Sequence, residues 1–131
     1  MEVINVLVAA AAAWFFGAFW YMTLSKPWLE ASGIECDENG KPKNGGSPTP
    51  FILSAIAMIL VAGMMRHIIS EAEIDTLLKG MMVGFGIGLF MISPWIMINN
   101  AYGMRPFKLT LIDSGYAVFG CTIIGFILVL F

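Results

Sequence analysis

Asp113 and Tyr116 stand three residues apart in a run, Leu111 to Phe131, that is otherwise largely apolar. Residues at that spacing share one face of a helix, so a carboxylate and a phenol point to the same side. Just upstream, "NNAYGMRPFK" adds Asn99, Asn100, Tyr102, Arg105 and Lys108. A carboxylate held close to lipid is expensive, and an ionisable residue inside a span is a site hypothesis by default. It can contact an ion or proton, pair with Arg105, or receive the polar head of a ligand. The two amides supply both donors and acceptors. The competing reading is structural. Asp113 has capping-box spacing from Thr110, the aromatic residues fit an interface belt, and Arg105 and Lys108 fit headgroup anchors.

The elements that position these groups follow from composition. The chain has 131 residues, 59% hydrophobic and 12% charged, about half the charged share of a soluble domain, with a mean hydropathy of +0.84. One domain is expected at this length, with the bilayer as its solvent. Four stretches approach the length of about 20 residues that a helix needs to cross the hydrocarbon. They cover about 3–24, 51–69, 74–99 and 111–131. The predicted fold class is therefore all-α, an integral membrane four-helix bundle. The first segment lacks a positive charge at its start and carries Glu2, so it is expected to be a retained span rather than a secretory signal. Thr49 and Pro50 suit the start of the second span, which ends with Arg66 snorkelling to the surface. Ser70 and Glu73 have capping-box spacing before the third, which Pro94 should bend. Connections are short except for one long polar loop, about 25–50, rich in glycine and proline and expected to be mobile.

In lipid, close helix approach needs small residues four apart. Gly80, Gly84 and Gly88 have that spacing in the third span, as do Ala9, Ala13 and Gly17 in the first. These two stripes are expected to pack against each other or against copies in an oligomer. A leucine should be disruptive at Gly84 and tolerated at Gly45 in the long loop. Four spans place both termini on one side. Lys26, Lys41, Lys43, Arg105 and Lys108 lie on the opposite side, against Arg66 and Lys79 on the first, which puts loops one and three in the cytoplasm.

Several classes are excluded. The net charge of −2 offers no basic surface for nucleic acid. Cys36 and Cys121 differ in setting and give neither a disulfide pattern nor metal-site spacing. The acidic "DENGK" lacks the spacing of a calcium loop, and "GFGIGL" lies mid-span with no strand before it. His67, Glu71, Glu73 and Asp75 read as helix-end charges. No nucleophile–base pair, haem motif or phosphate loop is present. No catalytic residue, metal or cofactor is expected, and an enzyme is the least supported class.

"FWYMTLSKPW" and "RPFKLTLIDSGY", taken in order, resemble the small bacterial membrane proteins grouped as domain of unknown function 1761. The likeness rests on Trp20–Tyr21, Lys26 with Trp28, Asn100, Arg105, and Asp113 with Gly115–Tyr116. Members often have a glycine where Ser25 stands here. The resemblance implies a four-helix integral membrane protein of the bacterial inner membrane and brings no established activity.

By topology the ends of spans one and three and the start of span four share one membrane face. The candidate site is therefore Trp20, Tyr21, Lys26, Trp28, Asn99, Asn100, Arg105, Asp113 and Tyr116, with Asp113 paired to Arg105. The expected function is a binding or accessory module that holds a lipid headgroup or a partner's transmembrane helix. The alternative is an oligomeric transporter or channel component with Asp113 contacting the ion or proton. Membrane lipids are the expected partners, with assembly as a homo-oligomer or as a subunit of a larger complex.

Overall fold

A computed structural model of the chain describes residues 2–40 and 48–131. Lys41, Lys43 and Gly45, used above for orientation and tolerance, lie outside the described residues. The helices are α1 (Glu2–Thr23), α2 (Ser25–Ser32), α3 (Thr49–Glu71), α4 (Leu77–Gly86), a π-helical turn (Ile87–Ile92), α5 (Ser93–Tyr102) and α6 (Phe107–Leu130). Among the described residues, four stretches are long and apolar enough to cross a membrane: Val3–Thr23, Thr49–Glu71, Leu77–Tyr102 and Phe107–Leu130. In these the backbone satisfies its own hydrogen bonds, which is what hydrocarbon demands. The result is an all-α bundle of the expected four spans.

Helix α6 is the hub. It touches every other helix, and it carries the largest set of buried residues, including Ile112, Val118, Cys121, Ile124 and Leu128. Around it Ala9, Ala13, Ala62, Met65 and Ile69 close the core. Large apolar side chains such as Phe15, Phe19, Phe51, Phe90 and Trp95 point outward, as they should where the surroundings are lipid.

The expected pairing of the first and third spans is corrected. Among the described residues α1 does not touch α4 or α5. The glycines at 80, 84 and 88 lie instead against the α6 backbone. A Cβ on Gly80 would stand 2.6 Å from the Gly125 carbonyl oxygen, and one on Gly88 2.6 Å from that of Ala117. Gly84 lies against Cys121 in the same way. The reason is that α6 offers its own small residues, Ala117, Cys121 and Gly125, at matching spacing. The stripe of α1 then falls to α3 and another face of α6, with Ala9 and Ala13 fully buried and Gly17 under the Tyr116 ring.

Other local expectations also shift. The first part of the long loop is helical: α2 continues the turns of α1 through Leu24, and Gly33, at φ 75°, closes it. An eight-residue helix is marginal alone; this one is held by docking on α6, with Ala31 and Ser32 buried. Thr76, not Ser70, caps the third span, accepting the Lys79 N–H at 3.2 Å. The irregularity expected at Pro94 takes the form of the π turn just before it, where the Ser93 hydroxyl donates to the Gly88 carbonyl at 2.6 Å. Arg66 does not simply snorkel. Its guanidinium donates to the Leu128 carbonyl at 3.0 Å, one of the C-terminal acceptors that a helix leaves unpaired. Finally, α6 starts at Phe107, directly after Pro106, so Thr110 lies inside the helix rather than capping it.

Candidate functional site

Because α6 starts a turn earlier than its apolar run, Asp113 sits in the second turn, half-buried and facing α1 and α2. Its Oδ1 accepts the Tyr21 hydroxyl at 2.8 Å and the Trp28 indole N–H at 3.3 Å. The two rings meet edge to face, 5.8 Å between centroids. Tyr21 comes from the last turn of α1 and Trp28 from the middle of α2, so the carboxylate ties three helices together. The 2.8 Å phenol contact has the ordinary length of an O–H···O hydrogen bond.

The expected Asp113–Arg105 ion pair is not what forms. Arg105 donates to the Ser32 carbonyl at 3.1 Å, pinning the end of α2. Its charge still acts on Asp113 from a distance, and Asn100 lies close to the same carboxylate. The loop turns Arg105 away because Met104, at φ 58°, reverses the chain after Gly103. Asn100 donates to the Thr110 hydroxyl at 3.2 Å, bracing the α5–α6 turn.

Tyr116 takes a different part from the one expected. Its hydroxyl donates to the Ala13 carbonyl at 3.0 Å and lies 3.3 Å from Met58 Sδ, while its ring meets Tyr21 edge to face at 5.5 Å. Trp20 donates to the Ile112 carbonyl at 2.9 Å and lays its ring on Gly115. Each of α1 and α6 thus gives one glycine to an aromatic ring of the other: Gly17 under Tyr116, Gly115 under Trp20. Lys26, Asn99 and Tyr102 are exposed and are not gathered around Asp113.

A groove of about 380 Å³ runs from Asp113 along α6. Tyr116, Ala117, Gly120, Cys121 and Ile124 form its floor, Met58 and Val61 of α3 one wall, and Ile92 and Ile96 the other. The groove exists because α3 and α5 make no contact among the described residues. The wall residues carry no sequence signal, since they are ordinary apolar positions of two separate spans. The floor could have been read from the small residues Ala117, Gly120 and Cys121, which follow Asp113 on one helical face. Among the described residues, no group of three or more His, Cys, Asp or Glu comes together to hold a metal ion.

The profile of the family described as "Protein of unknown function (DUF1761)" matches residues 4–129, and the chain belongs to that family. No curated protein and no solved structure matches the chain significantly.

Proposed function

We propose that this member of the DUF1761 family is a small membrane binding module that holds one membrane amphiphile, its head at Asp113 and its chain in the groove along α6. The observation that carries this is the groove itself: an apolar trough with one carboxylate and two tyrosines at its end, between α3 and α5. Apolar lining with a few fixed polar groups is the usual make-up of a ligand site, and about 380 Å³ lies at the small end of the range. A partner helix, about 10 Å across with its side chains, fits such a space poorly, whereas a single chain suits it. A transport role has weaker support, because Asp113 is engaged by two aromatic donors.

The glycine ladder of α4 acts in this reading as the seam that holds the groove's floor and one wall together. The protein works in a bacterial inner membrane with the α1–α3 and α5–α6 connections in the cytoplasm, supported by the lysine and arginine distribution. A homo-oligomer or a larger complex fits a bundle that encloses so little space. Native mass spectrometry from a neutral detergent tests the binding. Wild type should retain one lipid-sized adduct per protomer, and Ile96→Trp, which fills the groove from its wall, should lose it. Equal retention by both would overturn the proposal.

A further inference from the structure

We infer that the head accepted at Asp113 is cationic, an ammonium or substituted ammonium on a single long chain. This rests on the groove reading above and concerns which head the site selects. The donor inventory decides it. Tyr21 and Trp28 spend their donors on Asp113, and Tyr116 spends its hydroxyl on the Ala13 carbonyl. The backbone N–H groups of α6 are taken up by the helix. Asn100 donates to Thr110 and Arg105 to Ser32 on the α2 side, and neither residue lines the groove. Among the described residues, Asp113 is the one charged residue in the groove lining.

Among the described lining residues, the polar atoms left facing a ligand are therefore acceptors, apart from the weakly donating Cys121 thiol. A sulfate or phosphate head meets a carboxylate and, among the described lining residues, no unspent donor stronger than that thiol. An ammonium meets a carboxylate that aromatic donors hold in place. A counter-charge also relieves the cost of keeping a carboxylate beside hydrocarbon. The shape agrees. Asp113, Ala117, Gly120 and Ile124 lie along one helical face, and the eleven rises from the first to the last span roughly 16 Å. A lauryl chain matches that length.

The test varies the head on a constant chain. Lauryltrimethylammonium, laurylamine, lauryl sulfate and lauryl alcohol are each doped at one low mole fraction into neutral maltoside micelles holding the wild-type protein. Adducts are counted by native mass spectrometry. The two cations should be retained about tenfold or more over the sulfate, the equivalent of one charge-assisted hydrogen bond. Asp113→Asn should bring them down to the level of the alcohol. The wild-type series stands by itself if that variant does not fold. Equal retention of all four heads, lost together in Ile96→Trp, would keep the groove and overturn the cation. Preference for sulfate would overturn it too. Retention untouched by Ile96→Trp would remove the groove reading and this inference with it. A second arm offers phosphatidylethanolamine against phosphatidylglycerol. Discrimination there identifies a resident aminolipid as the source, and discrimination only in the lauryl series identifies an incoming single-chain cation.

Discussion

Removing the Tyr21 hydroxyl isolates the contact on which the site is built. Tyr21→Phe deletes a 2.8 Å hydrogen bond to Asp113 Oδ1 and leaves the ring packing in place. Hydrogen bonds to charged groups contribute roughly 1.5 to 3 kcal/mol. Asp113 is half-buried beside an open groove, so the lower end, about 1.5 kcal/mol, is expected here. Asp113→Leu leaves the phenol and the Trp28 indole without an acceptor, at about 1 to 3 kcal/mol, partly offset by the new apolar surface against the groove. In that background the Tyr21 hydroxyl has nothing to bond, so Tyr21→Phe should be neutral or stabilising, since it removes the orphaned donor. The double-mutant cycle then gives a coupling of at least about 1.5 kcal/mol, within the range for residues in contact. The assay is reversible unfolding in mixed micelles with rising dodecyl sulfate, followed by circular dichroism. Tyr102→Phe is the control, because Tyr102 is 87% exposed; its shift should stay within about 0.5 kcal/mol. If Tyr21→Phe costs the same with and without Asp113, the hydroxyl is not held by the carboxylate and the three-helix tie is wrong.

Arg105→Gln should loosen α2 rather than disturb Asp113: hydrogen exchange should quicken at the end of α2, and its stability cost should add to that of Asp113→Leu within about 0.5 kcal/mol. Gly84→Leu should cost about 1 to 3 kcal/mol or more by overpacking α4 against α6, whereas Gly63→Leu, where a Cβ meets nothing within 4 Å, should melt like wild type. Gly115→Ala should shift the fluorescence of Trp20, since an added methyl would stand 2.5 Å from its ring; an unchanged spectrum would remove the ring-on-glycine contact. Cys36, with Cys121→Ser as background, should resist an impermeant thiol reagent added to intact cells and label after lysis; labelling from outside would reverse the orientation.

The four spans were legible because hydrocarbon leaves little choice: a run of about 20 apolar residues satisfies its backbone as a helix or not at all. Rotation about each helix axis was not legible. The sequence places Trp20, Tyr21, Trp28, Arg105 and Asp113 at one depth, but depth does not say which side chains face each other. Arg105 was the obvious partner by charge. The aromatic donors took its place because α2 folds over the α6 start, and α2 was hidden in a segment whose glycine and proline content reads as loop. The ladder of α4 was visible as small residues, yet its true partner, Ala117–Cys121–Gly125, was less conspicuous than the alanines and glycine of α1. The groove walls were invisible for a plainer reason. Met58, Val61, Ile92 and Ile96 differ in no chemical way from their lipid-facing neighbours, and only the separation of α3 from α5 gives them a role.

The claim that an amphiphile lies along α6 is tested most directly by photo-crosslinking. A single-chain lipid with a diazirine at the middle of its chain is incorporated into membranes holding the protein, irradiated, and mapped by peptide mass spectrometry. The account predicts labels concentrated on Met58, Val61, Ile92, Ile96 and Cys121, and their loss in Ile96→Trp. Labels spread evenly over outward residues such as Phe15, Phe90 and Phe131, unchanged by Ile96→Trp, would contradict it.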